Sequence, residues 1–280
     1  MRCPLAVLAL AALASVALAE EPAAAPKPYA IGDTVADFTA KDVDGADVSL
    51  ASLRDVTPEK ALAAVTAAAT AYGAKDAKAS APPPGAADPI DGLAGVKSAD
   101  GAVDPAKRVE FLKAAGKPFG LVAGKKTSEA VKTLGDVAKW IAGSGSAPLV
   151  LMVWSPKCPV VAMYGDRIAD LFADTGARLV PIAPNVTDSD DEIRDFLATH
   201  AYPVRVLVDR DQKLTDLLGA NHTPHSFLLD AKNTLRYAGT IDDDPLGEKG
   251  DARQEWLKTA IDVVGSGHGK IRVLMTAPEG

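Results

Sequence analysis

Cysteine is almost missing from this sequence: 280 residues hold two, Cys3 and Cys158. Cys3 lies at the very start, so the rest of the chain has one thiol and can form no internal disulfide. Aromatic residues make up only 5% of the chain, so its cores must be built from aliphatic side chains and alanine. Lys and Arg form no block, and the formal charge is −7. Binders of polyanions carry a clustered excess of cations, so no nucleic-acid partner is expected. After Leu18 no apolar run approaches the roughly 20 residues needed to cross a bilayer, and no stable membrane insertion is expected.

What is present begins with a leader. Arg2 precedes an apolar run from Leu5 to Leu18, and Ala17-Leu18-Ala19 is a small-x-small end followed by Glu20 and Glu21. This is the pattern of a signal peptide over residues 1–19, and it predicts a periplasmic or secreted protein. The Ala/Pro-rich residues 20–28 read as a flexible tether. From Ile31 to Thr39 and from Asp47 to Leu50, two short β stretches flank the Asp44-Gly45 turn, which predicts an N-terminal β-hairpin. Residues 55–147 then differ in texture, being rich in Ala and Lys with a Pro/Gly-rich centre. Helices are predicted from Thr57 to about Ala71, from Asp104 to Ala114 and from Thr127 to Ile141, with residues 75–101 expected to be disordered.

From Ala147 the pattern becomes regular. Pro148–Trp154 is an apolar run suited to a strand buried on both faces, and Val160, Val161, Tyr164, Ile168, Leu171 and Phe172 follow on a helical period to Gly176. Strands are predicted at 179–183, 204–208, 226–230 and 235–239. A capping box at Ser189–Glu192 opens a helix to about His200, Leu214–Leu218 is a short helix, and a helix from Asp251 to Val264 closes the chain. Alternating strands and helices with a terminal hairpin imply an α/β fold, a central mixed sheet flanked by helices.

Four stretches together resemble the peroxiredoxin-like, or redoxin, family of the thioredoxin-fold superfamily. They are Ile31-Gly32-Asp33 to Leu53, Val153-Trp154-Ser155-Pro156-Lys157-Cys158-Pro159, Gly219-Ala220-Asn221-His222-Thr223-Pro224, and Tyr237 to Asp243. The resemblance implies a thioredoxin-like domain over residues 29–280, interrupted by the insertion at 55–147. It also implies an oxidoreductase that reduces a small-molecule peroxide through one cysteine, with no cofactor. Position 161 is Val, which excludes a dithiol CxxC motif. Leu151 stands where peroxiredoxins carry a proline, whereas Ser155 matches their hydroxyl residue. Residues 20–280 contain no second cysteine, so an external thiol or thioredoxin-like reductant must resolve an oxidised Cys158.

The expected catalytic residues are Cys158, Ser155, Thr223 and Pro224. Cys158 falls where a buried strand gives way to a helix, whose first-turn amides and dipole favour negative charge on its sulfur; Lys157 adds a nearby cation. The resemblance makes Thr223-Pro224 the loop facing the cysteine, where the bond before Pro is usually cis. His222 and His225 flank Pro224. With Cys158 they form a donor set suited to copper or zinc, so the alternative is a non-catalytic module that binds a metal or a partner protein there. They also read as plain loop histidines, or as His222 tuning the cysteine. Trp154 and Tyr164 are expected in the core, and Asp242, Asp243 and Asp244 in a solvated turn. If the leader is correctly read, the intact mass of the exported protein will correspond to a chain beginning near Glu20.

Overall fold

A computed structural model describes residues 27–73, 88–200, 204–268 and 271. The expected signal peptide and most of the tether lie outside the described residues, as do residues 74–87 of the low-complexity stretch. The sheet has seven strands: β1 (Thr39–Asp42), β2 (Asp47–Ser49), β3 (Leu149–Val153), β4 (Arg178–Ala183), β5 (Leu207–Val208), β6 (His225–Leu229) and β7 (Leu235–Gly239). Their spatial order is β2-β1-β5-β4-β3-β6-β7. The central three are parallel, with Leu149 opposite Arg178 and Ile182 opposite Leu207; β1 and β6 flank them antiparallel. This is the mixed sheet of a thioredoxin-like fold.

Side-chain alternation along β3 assigns its two faces. Val150 and Met152 pack beneath α6 (Pro159–Thr175) and α9 (Trp256–Ser266), together with Tyr164, Phe172, Leu257 and Ile261. Leu149, Leu151 and Val153 pack on the opposite face with α1 (Leu50–Arg54) and α8 (Lys213–Leu218). Trp154, at the end of β3, is buried against α7 (Asp190–Thr199), where Phe196 lies 5.0 Å from its ring. Trp154 and Tyr164 are both core residues, as expected.

Residues 58–143 build a core of their own from α2 (Pro58–Gly73), α3 (Pro105–Gly116), α4 (Lys125–Ala130) and α5 (Leu134–Gly143). Within it, residues 88–101 are not disordered: two short 3₁₀ turns bury Ile90, Leu93 and Val96. The single helix expected from Thr127 to Ile141 is in fact two. Thr133 is non-helical, its side chain accepts Asp136 N–H at 3.1 Å, and the Asp136 carboxylate accepts Lys132 and Thr133 N–H in return. That capping box starts a new helix inside an uninterrupted apolar period.

Other boundaries moved for local reasons. Residues 31–38 are not a hairpin strand; they run beside β7, with Gly32 N–H donating to Leu235 O and Val35 N–H to Asn233 O, and the hairpin begins at Thr39. Of the expected 204–208 strand, only Leu207–Val208 is paired, although Val204 and Val206 are buried. The last helix begins at Trp256 rather than Asp251, because the Asp243 carboxylate captures Gln254 N–H at 2.8 Å.

The insert meets the sheet through Arg178, a side chain with no exposed surface at the first residue of β4. Its Nε donates to Phe119 O at 2.7 Å, just before Gly120, and its Nη2 donates to Leu53 O in α1. One turn of chain away, Leu179 N–H donates to Gly120 O at 2.7 Å. Gly120 has φ +70° and a Cβ there would stand 2.7 Å from Leu179 O, so only glycine fits. Arg54, beside Arg178, donates to Ala147 O, Asp230 O and Asn233 Oδ1. Burial, and then Arg54, push Arg178 down to about 10. Replacing Arg178 with Ala removes two buried donors, and urea unfolding is expected to show a loss of about 3 kcal/mol.

Candidate active site

The C-terminal ends of β3 and β4 and the start of β6 converge on one end of the sheet, and Cys158 sits among them. Ser155, Pro156 and Lys157 turn the chain from β3 into α6. Cys158 N–H donates to Ser155 O at 3.1 Å, and Pro159 occupies the first helical position, where its missing N–H costs nothing. Cys158 is thus the N-cap of α6, free and half-buried. No first-turn amide caps through its side chain. The sulfur turns instead toward the loop before β6 and donates to Thr223 O at 3.3 Å. The Thr223–Pro224 bond is cis. The structure therefore brings Cys158, Thr223 and Pro224 together, through residues 65 positions apart.

Two of the expected neighbours do something else. Ser155 is buried, but its hydroxyl accepts Lys157 N–H at 3.2 Å and makes no hydrogen bond to the sulfur. Lys157 extends its ammonium to Glu192 Oε2 at 3.0 Å and to Thr187 O, so its charge is shared with α7. Ser189 N–H, and then Lys157, hold the Glu192 carboxyl below its usual range. This contact joins the Cys158 turn to the loop after β4.

The histidines do not complete a metal set. Their rings stack on each other at 4.0 Å and 21°, and among the described residues no three His, Cys, Asp or Glu side chains form a group able to hold a metal ion. His222 Nδ1 lies 2.6 Å from Asn221 Oδ1, while its Nε2 is buried with no hydrogen-bond partner. His225 is buried on the start of β6, 4.4 Å from the Phe227 ring. Burial lowers His222; burial and the neighbouring His222 push His225 down to about 3.

The three aspartates after β7 are not a solvated turn. Asp242 and Asp244 are buried. Asp242 accepts Tyr164 O–H at 2.8 Å and Arg167 Nη2–H at 2.6 Å, both from α6. Arg167 also donates to Asp244 O, and Asp244 accepts Glu248 and Lys249 N–H. Burial and Asp242 raise the Tyr164 phenol. Tyr164 and Arg167, three residues apart on a helix, are the sequence signal that could have found this cluster.

A family model described as the AhpC/TSA family matches residues 123–238, a span that includes Cys158 and Thr223-Pro224. Over that span the chain is similar to the AhpC/TSA family. No curated protein matches the chain. Among solved structures, a hypothetical protein from Sinorhizobium meliloti 1021 is 18% identical with TM-score 0.50, covering 89% of this chain and 93% of that chain. That likeness is one of fold, and its coverage takes in most of the insert. An uncharacterized conserved protein from Geobacillus kaustophilus is 16% identical, with coverage of 89% and 88% and TM-score 0.48. A secreted disulfide oxidoreductase from Mycobacterium tuberculosis is 21% identical over 32% of this chain and 66% of its own, with TM-score 0.29. No described helix of the protein is long and apolar enough to cross a membrane.

His225 makes the fold acid-sensitive. Unfolded, it binds a proton near pH 6.5; folded, it resists until about pH 3. Between these values the unfolded chain holds the extra proton, so stability falls as pH drops through this window. Urea titrations from pH 7 to pH 4 are expected to show that fall, and His225→Leu to flatten it.

Proposed function

We propose that this protein is an exported, peroxiredoxin-like thiol oxidoreductase of the redoxin family that reduces hydroperoxides through Cys158. The observation that carries the reading is the half-buried thiol at the N-terminus of α6, held by Thr223 O opposite a cis proline. Deprotonated, the sulfur attacks the terminal oxygen of a hydroperoxide: the S–O bond forms, the O–O bond breaks, and the alkoxide leaves to take up the proton. The thiol and ROOH become sulfenic acid and ROH. An external thiol then attacks the sulfenic sulfur, releasing water and leaving a mixed disulfide, which a second thiol reduces.

Within this scheme Thr223 O orients the sulfur, Pro224 shapes the loop that presents it, and Ser155 braces the Cys158 turn through Lys157 N–H. Since Val161 occupies the fourth position of the motif, the mixed disulfide forms between molecules. The leader at residues 1–19 supports action outside the cytoplasm. Purified protein lacking the leader should consume peroxide in the presence of a thiol donor, and a dimedone probe should label Cys158. Cys158→Ser should abolish both. If wild type consumes no peroxide with small thiols or with a thioredoxin, the reading is wrong.

A further inference from the structure

We infer that Gly165 is a positioning residue for Cys158: the corner it makes inside α6 aims the first turn of that helix so that the sulfur meets Thr223 O. The inference rests on Cys158 being the reacting group and deepens the peroxide reading. Gly165 is buried, with φ +40° and ψ −126° in the middle of a helix. Those angles lie near the first corner of a type II′ turn, roughly +60° and −120°, which glycine adopts freely and residues with a side chain do not. Space is not what selects glycine: a Cβ there would stand 3.6 Å from His200 Nδ1, an ordinary contact. The backbone angle selects it.

The two pieces of helix that meet at this corner are held separately. Beyond it, Arg167 donates to Asp242 at 2.6 Å, and Ile168 and Phe172 are buried in the same core as Val150 and Met152. Before it, Val161 packs in the Trp154 cluster, and the Cys158 sulfur donates to Thr223 O at 3.3 Å. Cys158 caps the helix seven residues ahead of Gly165, a lever of about 10 Å at the α-helical rise. Straightening the corner by about 20° would carry that end about 3 Å, more than a hydrogen bond survives. Cys158 would travel with its own helix and keep its N-cap place; the contact with Thr223 O is what would go. That carbonyl accepts from the S–H, so it favours the thiol, and its loss favours the thiolate.

Alkylation of Cys158 by iodoacetamide from pH 5 to pH 9 tests this without any peroxide, so failure of the peroxidase reading would leave the result intact. Gly165→Ala is expected to move the rise in rate about 0.5 pH unit toward acid, which makes alkylation on the acid side of the rise about threefold faster. Gly176→Ala is the control. Gly176 caps the far end of the same helix at φ +68° with open space around its Cβ position, so the substitution strains the backbone there too and should leave the profile at wild type. A Gly165→Ala profile equal to wild type overturns the inference, and so does an equal displacement in Gly176→Ala, which would mark a general loss of stability. Should Gly165→Ala not fold, as judged by circular dichroism, Gly165→Asn decides, since asparagine tolerates positive φ better than alanine: a smaller displacement toward acid supports positioning, and the wild-type profile overturns it.

Discussion

A guanidinium cannot shed its charge inside a protein, so one with no exposed surface forces other groups to come to it. Arg178 is such a group. Its Nε and Nη2 are met by the carbonyls of Phe119, in the middle of the insert, and of Leu53, in the helix leaving the N-terminal hairpin, while Nη1 is buried with no hydrogen-bond partner. Those two carbonyls belong to segments far apart in the chain that meet at the base of β4, where Leu179 N–H also donates to Gly120 O. Arg54 adds the ends of β6 and of the insert through Asp230 O and Ala147 O. The two cations therefore fasten hairpin, insert and sheet at one end of the molecule with backbone acceptors, and no carboxylate of the described residues ion-pairs with either.

With that end fixed, the opposite end holds Cys158. The strands β3 and β4 stop there in parallel register, so their following loops lie side by side, and Lys157 ties them together at Thr187 and Glu192. β6 begins there in the opposite sense, which carries Thr223 and Pro224 to the sulfur. Behind Cys158, Tyr164 and Arg167 anchor the loop after β7 to α6 through Asp242. The Cys158 turn is thus tied to the loop before β6 through Thr223 and to the loop after β4 through Lys157. The left-handed glycine at Gly165, within α6, lets that helix change direction between the Cys158 end and the anchored end.

Much of this was legible in advance because it is local. The apolar run of β3, the strand-to-helix position of Cys158 and the capping box at Ser189–Glu192 depend on neighbours in sequence. The break at Thr133 was hidden because the apolar period runs through it while the Asp136 carboxylate, a side-chain choice, caps the start of a new helix. The Asp242–Asp244 run looked solvated because its partners, Tyr164 and Arg167, are some 75 residues earlier. Ser155 and Lys157 were expected to serve the sulfur, yet each has nearer business, with Lys157 N–H and with Glu192 respectively.

By itself the sequence determined which residue can react, since residues 20–280 hold one cysteine and Val161 denies it a partner in its own motif. It also determined the order of strands and helices, because periodicity and caps are local properties. Only the tertiary structure decided that the sulfur faces Thr223 O instead of the helix amides, that His222 and His225 stack instead of sharing an ion, and that His222 keeps a bare nitrogen. Those outcomes depend on how β3 and β6 pair and on what burial leaves unpartnered, and neither is written in any short stretch of chain.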